Sequence, residues 1–247
     1  MRTAALCLLL AGTAAAAPGF DQRIGARLPL DAVLSAEDGT STTLGRLLDG
    51  KPGLLVPVYL RCPSLCPTVL DGVLRALRAQ SLRTGRDFSL VVLSFDPSDG
   101  AEAAARRRRE LEEGWRGGPP LVLRVATGPS ASLSALSAAV GFSVEPLPSG
   151  QYSHVPGLVV LTPDGRAARY LLGVEFSARD LRLALIEASA GRLGRWTDQL
   201  VLLCQRYDEA AGRYTGRVLR LTRVLGLVTV AVLGGGLAAL ARAEKRT

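Results

Sequence analysis

Imidazole, thioether and lysine are scarce in this chain of 247 residues, which has one histidine (His154), one methionine (Met1) and two lysines (Lys51 and Lys245). A single histidine excludes a metal site built chiefly of imidazoles. No general base stands out beside the candidate ligands, which argues against a zinc hydrolase. No internal repeat or low-complexity block is present, so repeat architectures are excluded. Aromatic residues make up only 5% of the chain, but 48% of it is hydrophobic, enough for one substantial core and hardly for two. With so little lysine, the net charge of +8 and the pI of about 9.9 rest on arginine. That charge does not point to nucleic acid. Within the run Arg106 to Arg109, a helix sets Arg106 against Glu110, Arg108 against Glu112 and Arg109 against Glu113, which describes a solvated face.

Both ends are apolar for reasons other than core packing. Met1-Arg2, the apolar run Ala4 to Leu10 and the small residues Ala14 to Ala17 have the three-part layout of a secretory signal peptide. Residues 1–17 are therefore expected to be a leader, and Cys7, inside its apolar run, is expected to be discarded with it. Near the other end, Val224–Ala241 is an uncharged run of about 18 residues, at the lower limit for crossing a hydrocarbon layer about 30 Å thick. Gly234-Gly235-Gly236 would weaken a soluble helix but suits close packing between membrane helices. Basic residues flank both sides of this run, so the leader decides the orientation. The expected layout places the main domain (18–194) in the periplasm. A juxtamembrane connector (195–223), a transmembrane helix (224–241) in a bacterial inner membrane and a basic cytoplasmic tail (242–247) follow. Arginines beside the span would meet anionic headgroups at about 1 kcal/mol per charge.

Between these ends, strand-like runs alternate with amphipathic helical runs, the pattern of an α/β domain with a central sheet. Strands are expected at Leu54–Leu60, Phe88–Phe95, Leu121–Val125, Leu158–Thr162 and Ala167–Leu172, and helices at Pro67–Ser81, Ala101–Trp115, Ser130–Val140 and Ser177–Ala190. Thr162-Pro163-Asp164-Gly165 is turn chemistry, so the last two strands should form a hairpin. Asp96-Pro97 reads as an N-cap with proline at the first helical position, and Asp99 as added charge at the positive end of that helix. The order of elements resembles the thioredoxin fold with an insertion, preceded by an extension over Pro18–Leu48.

The strand Leu54–Leu60 runs directly into Cys62-Pro63-Ser64-Leu65-Cys66-Pro67. Pro67 suits the first helical position, placing Cys66 at the N-cap, where the positive helix end would favour its thiolate. A structural disulfide here would close too short a loop to constrain much of the unfolded chain. Redox exchange and metal ligation both account better for the placement. Soft thiolates select copper(I) or zinc, and an added imidazole also admits copper(II). The one imidazole lies in Gln151-Tyr152-Ser153-His154-Val155-Pro156, just before a strand. A lone loop histidine is ordinarily a surface residue. In a thioredoxin-like fold, however, the loop entering this strand packs against the cysteine turn, an argument from fold analogy.

The run Cys62–Pro67, the segment Asp96-Pro97-Ser98-Asp99, and His154 ahead of a hairpin with Pro163-Asp164-Gly165 together resemble the Sco/SenC family of copper-binding cytochrome c oxidase assembly proteins. The resemblance covers roughly Arg23 to Ala190. It implies that Cys62, Cys66 and His154 are copper ligands. It also implies a metallochaperone rather than an enzyme, whose partner is the copper-bearing oxidase subunit or another copper chaperone. A periplasmic thiol-disulfide reductase or redox sensor using the same cysteine pair is the alternative, and an inert adaptor acting through the connector and span is a third class. The expected C-terminal anchor departs from the family's common N-terminal tether. Cys204 lies outside the shared region.

Overall fold

The computed structural model describes residues 19–116 and 118–193, and beyond them only 207–208, 213–214, 226–227, 229–230 and 233–234. The chain divides into two compact units, Met1–Gly194 and Arg195–Thr247. The first opens with β1 (Gly19–Phe20), β2 (Val33–Ser35), β3 (Ser41–Thr43), the short helix α1 (Leu44–Leu48) and β4 (Gly53–Val58). Next come α2 (Leu65–Arg78), β5 (Ser89–Ser94), α3 (Ala101–Gly114), β6 (Leu123–Ala126) and α4 (Ser130–Ala139). Three two-residue strands, β7 (Phe142–Ser143), β8 (Glu145–Pro146) and β9 (Tyr152–Ser153), lead to β10 (Gly157–Leu161), β11 (Ala167–Leu172) and α5 (Ala178–Ser189). In the second unit β12 (Tyr207–Asp208) pairs antiparallel with β13 (Arg213–Tyr214).

Five strands form one mixed sheet in the order β11-β10-β4-β5-β6. β4, β5 and β6 are parallel, and β10 runs antiparallel to both β4 and β11. Each inner strand is apolar on both faces, and its alternate residues go to different cores. Leu54, Val56 and Val58, with Leu90 and Val92 and with Leu158 and Val160, pack against α2, α3 and α5. Leu55, Val91, Leu93, Val159 and Leu161 pack on the other face against α1, α4 and the N-terminal extension.

Pro57 shapes the end of the sheet that matters most. The N–H of Ser89 donates to the Pro52 carbonyl and that of Phe95 to the Val58 carbonyl, so even-numbered residues of β4 face β5 and Pro57 faces the β10 side. Without an N–H it cannot extend that ladder, and the β10–β4 register ends at Leu55. β10 itself starts at Gly157, ahead of its paired stretch with β4, and the chain entering it from β9 carries His154 to Cys66.

The expected strands and helices of this domain are all present, with boundaries shifted by a few residues. The hairpin turns through Gly165 at φ +76°, and Ser177 caps α5 by accepting the Asp180 N–H at 3.3 Å. Two expectations fail. Asp96 does not cap α3, whose N-cap is Gly100. Along the arginine run Arg108 does meet Glu112, but Arg106 turns back to Glu102, Arg107 pairs with Glu110, and Arg108 also reaches the buried Glu37. The expected leader (1–17), Cys7 and Cys204 lie outside the described residues, as does most of Val224–Ala241. Gly226, Leu227, Thr229, Val230, Leu233 and Gly234 are helical. Among the described residues no helix is long and apolar enough to cross a membrane.

Gly72 fixes how closely α2 approaches the loop after β11, since a Cβ there would lie 1.9 Å from the Val174 carbonyl oxygen. Glycine to alanine inside a helix ordinarily stabilises by up to about 1 kcal/mol. Here the clash reverses the sign: Gly72→Ala should destabilise by about 1–3 kcal/mol. A lowered midpoint in chemical denaturation would show this, whereas an unchanged or raised midpoint would contradict the packing described.

Candidate metal centre

The site is built where β4 ends. After Val58 the chain turns through Tyr59-Leu60-Arg61, with the Cys62 N–H bonded to the Tyr59 carbonyl at 3.2 Å, and α2 begins at Leu65 with Ser64 as its N-cap. Two carboxylates from the end of β5 hold this turn. Asp99 accepts the Leu60 N–H at 2.7 Å and the Ser94 hydroxyl at 2.7 Å, and its other oxygen faces Arg61 Nε at 3.3 Å. Asp96 accepts a guanidinium N–H of Arg61 at 2.8 Å together with the Ser98 N–H and hydroxyl. Burial alone would raise the Asp96 pKa, but the Ser98 donors and Arg61 outweigh it and hold the carboxyl below its ordinary range. From α3, Arg107 donates to the Leu60 carbonyl at 2.9 Å. These aspartates therefore anchor the cysteine turn rather than cap a helix, which corrects the sequence-based expectation.

Both cysteines are free thiols, 5% and 1% exposed for Cys62 and Cys66 respectively. The Cys62 sulfur, not that of Cys66, faces the helix N-terminus, accepting the Cys66 N–H at 3.3 Å. Burial pushes the Cys62 thiol up, but hydrogen bonds from the Cys66 and Ser64 N–H groups, together with the Tyr59 hydroxyl, bring it below its ordinary value. Cys66 lies inside the first turn of α2, and burial pushes it up to about 12. The expectation that the helix end would favour a Cys66 thiolate over that of a buried structural cysteine thus fails, because the helix starts two residues earlier than Pro67 suggested.

His154 arrives between β9 and β10. Its Nε2 lies 3.8 Å from Cys66 Sγ and its Nδ1 lies 3.3 Å from the Val155 carbonyl. The tautomer that satisfies both contacts carries its proton on Nδ1 and leaves the Nε2 lone pair toward the sulfur. Burial lowers the imidazole pKa, only partly offset by the Val155 bond, which favours the neutral ligating form. Three rings surround it edge-on, Phe95 at 5.4 Å, Phe142 at 5.9 Å and Tyr59 at 6.3 Å between centroids.

The structure thus brings all three expected residues to one place and puts Cys66 and His154 in direct contact. It does not present a finished cage. Among the described residues, no three His, Cys, Asp or Glu side chains are grouped so as to hold a metal ion as they stand. The reason is local: the Cys62 sulfur is engaged by the backbone N–H groups of α2. The aromatic surround was not foreseen, and of its members only Tyr59, three residues before Cys62, carried a positional hint.

Residues 33–186, more than half the chain, match the sequence model of the SCO1/SenC family. Among solved structures, the chain resembles a proposed electron transfer protein from Aquifex aeolicus VF5 at 27% identity and TM-score 0.61, over 71% of this chain and 98% of the other. A proposed electron transport protein from the same organism is 27% identical with TM-score 0.56, over 68% and 99%. Arabidopsis thaliana ScoI, solved with copper bound, shares the fold at 18% identity and TM-score 0.52, over 68% and 99%. No curated protein matches the chain.

The split between the thiols has a direct chemical consequence. Limited alkylation of the reduced protein should label Cys62 well ahead of Cys66, and the rate at Cys62 should fall as pH is lowered through its depressed pKa. Peptide mapping that found Cys66 labelled first, or both equally, would contradict the assigned environments.

Proposed function

Since the chain belongs to the SCO1/SenC family, with a thioredoxin-like α/β fold, we propose that it binds copper through Cys62, Cys66 and His154 and passes it to the copper-bearing subunit of cytochrome c oxidase or to another copper carrier. The observation that carries this reading is the 3.8 Å approach of His154 Nε2 to Cys66 Sγ, which sets the chain's one imidazole against a free thiol. The donor set fits the cargo. Two sulfurs suit copper(I), and a neutral imidazole admits copper(II) as well. The fold neighbour crystallised with copper supports the same choice.

Binding would draw the Cys62 sulfur away from the N–H groups of α2, exchanging hydrogen bonds for a metal bond. A site completed only on loading suits a carrier, because the same hydrogen bonds recapture the sulfur when the ion leaves. In this reading the leader directs export and the Val224–Ala241 span holds the domain on the periplasmic face of the inner membrane, beside a membrane-bound client.

The pKa split supports a second reading, thiol-disulfide exchange. There the Cys62 thiolate would attack a partner disulfide, displacing one partner thiolate. Cys66 would then resolve the mixed disulfide as its own proton is lost, leaving the partner reduced by two electrons and Cys62–Cys66 oxidised. His154 separates the readings. Reduced protein should take up one copper per chain and show a thiolate-to-copper(II) absorption band. In His154→Ala the band should vanish and copper affinity fall, while disulfide exchange stays largely intact. Protein that bound no copper, or a variant that bound it equally well, would leave the dithiol reading in possession.

A further inference from the structure

β1 lies ahead of the region shared with the family, which begins at residue 33, yet it is part of the setting of His154. Gly19 and Phe20 pair antiparallel with Ser143 and Phe142. Phe20, 2% exposed, packs at a tilt against Phe142 at 4.8 Å and meets Tyr170 edge-on at 5.7 Å. Tyr170 is itself fixed, donating to the Val140 carbonyl at 3.0 Å and accepting the Arg23 N–H at 3.1 Å. Phe142 in turn touches Phe95 at 5.3 Å and His154 at 5.9 Å. A continuous row of rings therefore runs from β11 through β1 and β7 to the imidazole.

The backbone closes the same contact twice. Gly141, left-handed at φ +64°, lies so near Asp21 that a Cβ would fall 1.9 Å from its carbonyl oxygen, and the Asp21 N–H donates to the Gly141 carbonyl at 2.7 Å. On the far side, a Cβ at Gly19 would lie 3.2 Å from the Val155 side chain, next to His154. β1 thus touches both flanks of the histidine. Between β9 and β10, residues 154–156 belong to no strand. Ring packing, together with the Nδ1 contact to the Val155 carbonyl, directs Nε2 at Cys66.

We infer that β1 is a positioning element for His154, with Phe20 acting through Phe142 to hold the imidazole toward the cysteines. This rests on the reading of His154 as a copper ligand. Removing the Phe20 ring opens space under Phe142 and lets the imidazole rotate away without breaking the hydrogen bonds of the Cys62 sulfur, which come from the Cys66 and Ser64 N–H groups and the Tyr59 hydroxyl. Outer-shell groups of this kind change metal affinity by about 10- to 100-fold.

The test uses the full-length protein with Phe20→Ala, Phe20→Leu and Phe142→Leu. Phe88→Leu, a fully buried phenylalanine of the other core, is the control for general loss of packing. Because the chain has one histidine, its imidazole Hε1 proton gives a single NMR signal whose position reports the surrounding rings before any copper is added. Phe20→Ala and Phe142→Leu should shift that signal and weaken copper binding by about tenfold or more, Phe20→Leu less so, and Phe88→Leu neither. If Phe20→Ala fails to fold, Phe142→Leu decides. Wild-type signal and affinity in a folded Phe142→Leu or Phe20→Ala protein would overturn the inference. Wild-type protein that binds no copper would overturn the copper reading instead, and the Hε1 comparison would still decide whether β1 positions the ring.

Discussion

One contact between side chains 88 positions apart organises this molecule's chemistry, the approach of His154 to Cys66. It exists because β10 is laid antiparallel against β4, with the register ending at Leu55. Pro57, which has no N–H to offer β10, lies just past that register. The site is therefore a consequence of sheet register before it is a property of any loop.

Around that contact, two environments pull the thiols in opposite directions. Burial opposes the thiolate in both; at Cys62 the Cys66 and Ser64 N–H groups outweigh it with help from the Tyr59 hydroxyl, whereas at Cys66 the backbone bond from Tyr59 does not, so Cys62 is the more acidic and Cys66 is held as a thiol. The turn that presents them is tied to the next strand by Asp96 and Asp99. Asp99 is almost wholly buried, and its engagement of the Leu60 N–H is a strong, charge-assisted bond. Arg61, 61% exposed, adds attachment at the rim, where solvent weakens an ion pair. The buried backbone bond, rather than the surface guanidinium, is thus the firmer anchor of the cysteine turn.

Much of this was legible in the residue order. Short continuous apolar runs and the Thr162–Gly165 turn marked the strands and hairpin, because their lengths and ends are set by local chemistry. The cysteine pair was equally plain, being a strand-to-helix junction with two prolines. What could not be read were matters of a few ångströms. Whether helix α2 began at Leu65 or Pro67 decided which thiol met the backbone donors, and proline placement alone is consistent with both. Asp96 and Asp99 have the composition of a helix cap. Only the nearness of Leu60 and Arg61 across β4 and β5 shows that they serve the neighbouring strand instead. The Phe20–Phe142–His154 row joins three distant segments with no shared spacing, so nothing local announces it.

Copper carriage here requires both sulfurs and the imidazole to bind one ion together, although Cys62 must first leave its backbone donors. X-ray absorption spectroscopy of the protein loaded with a single equivalent of copper(I) addresses this directly. The expected coordination shell holds two sulfurs and one imidazole nitrogen, with the multiple-scattering signature of a histidine ring. A shell of sulfur alone, or one with a single sulfur, would show that the meeting of Cys66 and His154 does not serve a shared metal.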